Sequence, residues 1–379
     1  MPKGKNQIKK IVVVGGGNIG TLLCAELLHN NNDIKLYLNT RNKEKWSNEI
    51  KVTDASNKLL YTAKNFIVTN KKIADADLYF FTIPKHAIKN ELEEYLQEVT
   101  SNNALFVFIP GTGGIEHLYA KRKNKNIDFV GLQRVPFISR LNVYGHSVSL
   151  LSKKDVIYAA TMSGNKYCIL NDLLKIRVEY VPNYLAIALT PSNPILHTTR
   201  LYSLFTRFTP NEIVNDKILF YKMWDDESSE ILLKADGEFQ SICAAYSKLD
   251  LTNVKSLCQH YEVKSAREMT LKVASIEAFK NIEVPIKNVN NEYSIDLNSR
   301  YFLEDFNYGL IIVKAFAEIA NIKTKMIDEI LLWYGDLIGE KILDNMGKLV
   351  VNSNMLIPQN YGLFTVGDVE KYYTNHTKY

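Results

Sequence analysis

The chain has 379 residues, of which 46% are hydrophobic and 23% charged, with a formal net charge of +5. That balance is typical of folded globular proteins and excludes disordered and collagen-like chains. The excess of basic residues forms no run interleaved with aromatics, so nucleic acid is not an expected partner. No apolar stretch reaches the roughly 20 residues of a membrane-spanning helix. Lys3, Lys5, Lys9 and Lys10 precede only Ile11 to Val14 before three glycines, too short a run for a secretory leader. The four cysteines, Cys24, Cys168, Cys243 and Cys258, are scattered without a CxxC pair. That spacing predicts a reducing, cytoplasmic setting with no disulfide, no zinc framework and no metal.

The length accommodates two domains, and the elements fall into two textures. The first begins with an apolar strand, Ile11 to Val14, then Gly15-Gly16-Gly17-Asn18-Ile19-Gly20, a helix from Thr21 to His29, and a second strand from Ile34 to Leu38. This is the order of a dinucleotide-binding βαβ unit. Gly15 makes the tight turn, Gly17 admits a pyrophosphate to the backbone, and Gly20 lets helix and strand pack closely. The N–H groups of Asn18 and Ile19 at the helix start, with its partial positive charge, face the phosphates. An acidic residue ending the second strand would hold a ribose 2′-hydroxyl and favour NAD. The positions here are Asn39, Thr40, Arg41, Asn42 and Lys43. Arg41 offers a donor fork for a 2′-phosphate, with Thr40 beside it, so NADP(H) is expected in preference to NAD(H). The alternative is a solvated Arg41 and an enzyme that accepts either cofactor.

Strands follow at Phe66 to Val68, Asp77 to Ile83 (stopped by Pro84), Ala104 to Ile109 (stopped by Pro110) and Phe129 to Leu132, with a helix from about His86. Ligands of open α/β sheets sit beyond the carboxyl ends of the strands. Pro84 and the loop Pro110-Gly111-Thr112-Gly113-Gly114 are therefore expected to border the nicotinamide. Ser147 to Leu151 and Val178 to Val181 read as closing strands. From about Asn183 glycine becomes sparse and helical periodicity takes over, at Ile218 to Met223, Glu230 to Lys248, Ala266 to Phe279, Leu310 to Ala320 and Lys325 to Leu337. The polar tail, Lys371 to Tyr379, reads as partly disordered. The expected fold is an α/β Rossmann-type parallel-sheet domain, residues 1–184, followed by an all-α domain, residues 185–379.

Two segments of the second half carry chemistry. One is Pro191-Ser192-Asn193-Pro194-Ile195-Leu196-His197-Thr198-Thr199-Arg200; the other runs from Arg300-Tyr301-Phe302-Leu303-Glu304-Asp305 to Tyr308-Gly309-Leu310. A dehydrogenase acting on a carbonyl or imine needs a proton donor near neutral pKa, which histidine supplies. An aspartate behind it fixes its tautomer, and an arginine can clamp a carboxylate. Singly, each has an ordinary reading: His197 as a structural histidine, Asp305 as an acid in a helix's first turn, Arg300 as a surface cation. Asn193 can orient a carbonyl or hold its loop. Arg134 and Arg140 can bind a second carboxylate or form salt bridges. Asp225-Asp226-Glu227 reads as a helix cap, or as a site for a cationic side chain.

Together the segments resemble the opine dehydrogenases of the octopine/nopaline dehydrogenase family. Asn193-Pro194-Ile195-Leu196-His197 is similar to that family's Asn-Pro-x-x-His segment, and Arg300 to Asp305 with Gly309-Leu310 to its Arg-Tyr-x-x-Glu-Asp…Gly-Leu segment. Pro110 to Gly114 is similar to its Pro-Gly-x-x-Gly loop. Thr198-Thr199 stands where the family often has a proline. The resemblance implies reductive condensation of an amino acid with a 2-oxo acid, hydride from the nicotinamide reducing the imine. It makes His197 the acid/base, Asp305 its partner and Arg300 a carboxylate anchor. The partners would be small molecules, with neither nucleic acid nor membrane. A ketopantoate-reductase-like 2-oxo acid reductase is the nearest alternative, although the Asn193–His197 segment holds no lysine. A non-catalytic NADP(H)-binding protein is the other.

Overall fold

The computed structural model describes residues 8–31, 33–122, 126–206, 218–289 and 292–375. The chain divides into two units, Met1–Ala188 with residues from Tyr373 onward, and Leu189–Tyr372.

The first unit opens with β1 (Lys10–Val14), α1 (Asn18–Asn30) and β2 (Lys35–Asn39), the expected βαβ unit. β3 (Glu49–Thr53) and β4 (Leu59–Lys64) come next, then β5 (Phe66–Thr69), β6 (Leu78–Phe81), α2 (Lys85–Glu98) and β7 (Leu105–Phe108). β8 (Asp128–Leu132), β9 (Phe137–Val143), β10 (Ser147–Lys153), β11 (Val156–Thr161), α3 (Ile169–Leu174), β12 (Arg177–Tyr180) and α4 (Leu185–Ala188) complete it. The main sheet has eight strands in the order β12-β11-β8-β7-β6-β1-β2-β5. β5 through β8 in that order are parallel, with Val12 paired to Tyr37 on one side and Tyr79 on the other. The central strands are uninterrupted apolar runs because both their faces are covered, as parallel sheets require; Val12, Val13, Leu78 and Phe80 are all fully buried. β11 runs antiparallel to β8 and carries β12 with it.

A second sheet, β4-β3-β10-β9, packs against α1. β10, read from sequence as a closing strand, belongs here rather than to the main sheet. β3, β4 and β9 were not expected from sequence, although β3 alternates buried and exposed positions as a one-sided strand does. Leu59 and Leu60 of β4 both face solvent, so the alternation that marks a one-sided strand is missing.

The second unit contains α5 (Thr198–Phe205), α6 (Asp226–Ala245), α7 (Leu257–Tyr261), α8 (Ala266–Ala274), α9 (Ile311–Ile319), α10 (Lys325–Ile338) and α11 (Val366–Asn375). A short hairpin, β13 (Ile286–Val289) and β14 (Glu292–Ile295), is its only sheet among the described residues. α5, α8 and α10 pack on α6. Asp225 caps α6, its carboxylate accepting from Ser228 N at 2.8 Å, which is the capping reading of that acidic cluster.

Two expectations need correction and a third is narrowed. Ile218 to Met223 is not helical: Leu219 bridges to Glu283, and the chain then turns through Met223. The helix begun at Ala266 stops at Ala274, and a single tight turn covers Glu277–Phe279. The tail up to Asn375 is helix α11, and Tyr373 is buried, donating to Glu116 at 2.8 Å; residues 376–379 lie outside the described residues. No helix among the described residues is long and apolar enough to cross a membrane.

Candidate active site

The glycine loop is built as its spacing requires. Gly15 has φ +111°, and a Cβ there would lie 2.9 Å from the side chains of Thr82 and Ile83. A Cβ at Gly20 would lie 1.9 Å from the Gly15 carbonyl, so helix and turn meet only without a side chain. A Cβ at Gly17 would meet nothing within 4 Å, the open approach that a pyrophosphate needs. α1 starts without a side-chain cap and without an acid in its first turn, which leaves its N–H groups and dipole for an anion. Asn18 also ties the helix start to β9 through its side chain, its Oδ1 accepting from Leu141 N at 2.8 Å. Ile19 packs against the core. The residues present thus fit a dinucleotide.

At the end of β2, Thr40 is buried and its hydroxyl lies 3.0 Å from that of Tyr144. Arg41 is exposed immediately after it. Trp46 and Tyr144 meet edge to face at 5.6 Å and wall this corner beside Gly16, where a Cβ would come within 2.6 Å of the indole. Neither aromatic was singled out from sequence. Pro84 heads α2 beyond the end of β6. Gly111 follows the cis Ile109–Pro110 bond and packs so closely on β8 that a Cβ would lie 2.3 Å from the Gly131 Cα. Its carbonyl accepts from Tyr184 at 3.0 Å, so close packing alone explains the glycine. Arg134, in the turn between β8 and β9, lies beside Lys154, whose pKa is pushed down to about 8 by burial and then by that neighbouring charge. Both belong to the first unit.

In the second unit the two chemistry-bearing segments come together. Each forms a widened, π-helical turn: Ser192–His197 leading into α5, and Tyr301–Leu310 leading into α9. Such turns displace one residue from the regular ladder and cluster at functional sites. Thr198 and Thr199 hydroxyls donate to the Pro194 and Ile195 carbonyls at 2.5 and 2.7 Å, taking up backbone acceptors. The segments touch where a Cβ on Gly309 would lie 3.2 Å from the Pro194 ring. That approach brings His197 Nδ1 within 2.8 Å of Asp305 Oδ2, across 108 residues of sequence. Asp305 is buried and His197 half-buried. Nδ1–H donates to the carboxylate, which fixes the tautomer and leaves Nε2 as the working nitrogen.

Nε2 is engaged too, 2.8 Å from the Tyr221 hydroxyl. Burial pushes the Tyr221 phenol well above its ordinary pKa, so it remains protonated and donates to the ring nitrogen. Tyr301 and Phe220 flank the imidazole edge-on at 4.9 and 5.5 Å. The turn that delivers Tyr221 is clamped by Arg200, one turn beyond His197 on α5 and fully buried. Arg200 donates to the carbonyls of Phe220 and Met223 at 3.1 and 2.5 Å, to the Ser228 hydroxyl at 2.6 Å and to Asp225 at 3.3 Å. Sequence reading missed both residues. Arg200 ends the Pro191–Arg200 segment, but nothing local marks an arginine as buried.

Arg300 is exposed, and its Nε and Nη2 donate to Glu304 at 3.1 and 2.9 Å. That bidentate pair holds the guanidinium plane and leaves the Nη1–Nη2 edge, which can take a carboxylate two-pronged. Asn193 is exposed on the same turn as His197.

Residues 180–338 match the family model described as NAD/NADP octopine/nopaline dehydrogenase, alpha-helical domain. Residues 11–135 match that of ketopantoate reductase PanE/ApbA. The chain is 23% identical to an opine dehydrogenase of Haliotis discus hannai, the match covering 94% of this chain and 97% of that protein. Its structure is similar to that of an octopine dehydrogenase with NADH and L-arginine, with TM-score 0.82 and 20% identity over 95% of this chain and 97% of the other. It is also similar to an NADP+-bound yersinopine dehydrogenase, with TM-score 0.66 and 12% identity over 98% and 100%.

Proposed function

We propose that the chain is an opine-type dehydrogenase, a reading supported by the match of residues 180–338 to the octopine/nopaline dehydrogenase helical-domain model. It joins the amine of an amino acid to a 2-oxo acid and reduces the resulting imine to a secondary amine. The single observation that carries this reading is the His197–Asp305 pair at 2.8 Å, assembled from distant segments within the helical unit. A histidine whose tautomer is set by a buried carboxylate is equipped to give and take a proton at Nε2. Chemically, the carbonyl oxygen needs a proton as the amine adds, and water must then leave. His197 serves both steps as acid and base, with Asp305 stabilising the imidazolium. Arg300, braced by Glu304, anchors a substrate carboxylate, and Asn193 orients the carbonyl beside it; Arg134 is assigned to a second carboxylate.

The nicotinamide nucleotide, when bound, supplies the hydride. Gly15, Gly17 and Gly20, with the Asn18 and Ile19 N–H groups, hold its pyrophosphate; Pro84 and Gly111 border the nicotinamide end. Thr40 and Arg41 receive the 2′-phosphate, which makes NADP(H) the preferred cofactor. Support comes from the absence of any acid between Asn39 and Lys43 and from the exposed guanidinium of Arg41. A cytoplasmic setting fits these substrates and the free cysteines.

The test is product identification. The chain is incubated with NADPH, pyruvate, glyoxylate or 2-oxoglutarate, and a panel of amino acids, and the products are analysed by mass. A secondary-amine dicarboxylate is expected. A 2-hydroxy acid formed without uptake of the amine would instead assign the chain to the simple 2-oxo acid reductases.

A further inference from the structure

Both nitrogens of the His197 imidazole are taken, Nδ1 by Asp305 and Nε2 by the Tyr221 hydroxyl, each at 2.8 Å. Its flanks are occupied by Tyr301 and Phe220. A proton leaving Nε2 therefore either passes through the Tyr221 oxygen or waits for Tyr221 to move away. The surroundings favour passage. The Tyr221 ring stacks on Phe279 at 4.7 Å and on Trp224 at 6.4 Å, and is itself buried. Its turn is held by the buried Arg200, which donates to carbonyls on either side of it. Trp224 is fixed in turn, its indole N–H donating to Ser229 at 3.0 Å. Moving Tyr221 would break this set of contacts, whereas with His197 as imidazolium the Nε2–H donates to Oη and the phenolic proton is free to turn toward substrate.

We propose that Tyr221 is a catalytic residue, the terminal proton donor of an Asp305–His197–Tyr221 chain, handing its phenolic proton to the carbonyl oxygen of the 2-oxo acid. The proposal rests on the condensation reading above. As the amine lone pair forms the C–N bond, the carbonyl π electrons move to oxygen. That oxygen takes the proton from Tyr221 Oη, and Oη takes the proton from Nε2 of the imidazolium. Tyr221 ends as a neutral phenol, His197 as a neutral imidazole, and the substrate as a carbinolamine that still carries the amine's extra proton on nitrogen. No charge is left on the phenol, which suits a group whose ionisation burial opposes. The same chain run backward accepts the proton during opine oxidation.

Tyr221→Phe removes one oxygen and keeps the stacked ring. Expected is a fall in kcat of about 10- to 100-fold in both directions, short of the full general-acid loss because water can replace the hydroxyl. NADPH dissociation constant and melting temperature should stay at wild-type values. In the ligand-free protein the nitrogen-15 resonance of His197 Nε2 should move, while that of Nδ1 does not. A kcat within twofold of wild type would overturn the proposal, as would a loss accompanied by weakened NADPH binding and a lowered melting temperature, which marks a structural role. An active wild type with an equally active Tyr221→Phe sinks this proposal alone. A wild type lacking amino-acid-dependent turnover removes the condensation reading as well.

Discussion

His197, Asp305 and Arg41 each make a separable claim. Replacing His197 by Asn keeps the size but removes the titrating nitrogen; kcat should drop by about 10²–10⁴ with NADPH affinity unchanged, measured by steady-state kinetics beside fluorescence titration. Asp305→Asn retains a hydrogen-bond partner for Nδ1 but no charge to stabilise the imidazolium. A kcat loss in the same range is expected, again without change in nucleotide binding. Arg41→Asp should weaken NADPH binding far more than NADH binding; equal losses would refute the 2′-phosphate role. His197, one of seven histidines, and Asp305 drew notice through the spacing of the segments that hold them, and Arg41 through its place after the second strand. The sequence concealed Tyr221, one of 22 tyrosines, lying in a stretch whose apolar spacing imitated a helix. The Arg200 clamp, the bridge from Leu219 to Glu283 and the backbone bonds beside it make that stretch a turn.

Among the elements, the two π-helical turns matter most. Their widened geometry cannot be inferred from periodicity, since one displaced residue leaves the apolar pattern nearly intact. The contact between them rests on Gly309 against Pro194. Gly309→Val should push the turns apart, costing about 1–3 kcal/mol of stability through overpacking and lowering kcat by separating His197 from Asp305. Urea unfolding and kinetics on the same sample check both; an unchanged kcat would show that the pair tolerates the displacement. The βαβ start was legible because strand, glycine spacing and helix agree over 30 residues, each level supporting the others. The second sheet was not. β4 is an edge strand paired to β3, and β3 in turn takes its place beside β10, a partner almost 100 residues away.

For the whole molecule, the two textures of sequence correspond to two units with separate internal packing. The Rossmann-type sheet followed by helices follows from periodicity and glycine distribution. The return of Tyr373 to the first unit, where it donates to the fully buried Glu116, does not. Burial raises the Glu116 pKa to about 7. A carboxyl raised on folding stabilises while it stays protonated, so its contribution is complete below its unfolded pKa near 4.5 and disappears as pH climbs through 7. Its neighbour His117 is pushed down to about 3 by burial, so its neutral form favours folding above its unfolded pKa near 6.5 and that contribution is lost as pH falls through 3. Between pH 5 and 8, Glu116→Gln should lose less melting temperature with rising pH than wild type. Parallel curves for the two proteins would show that Glu116 does not titrate in this window.

The condensation itself is tested most directly by the initial rate of NADPH oxidation at fixed pyruvate, glyoxylate or 2-oxoglutarate as the amino acid concentration is raised. A rate that is near zero without the amino acid and saturates with it is the predicted result. A rate set by the 2-oxo acid alone, indifferent to every amino acid tried, would contradict an opine-forming site built on His197 and Asp305.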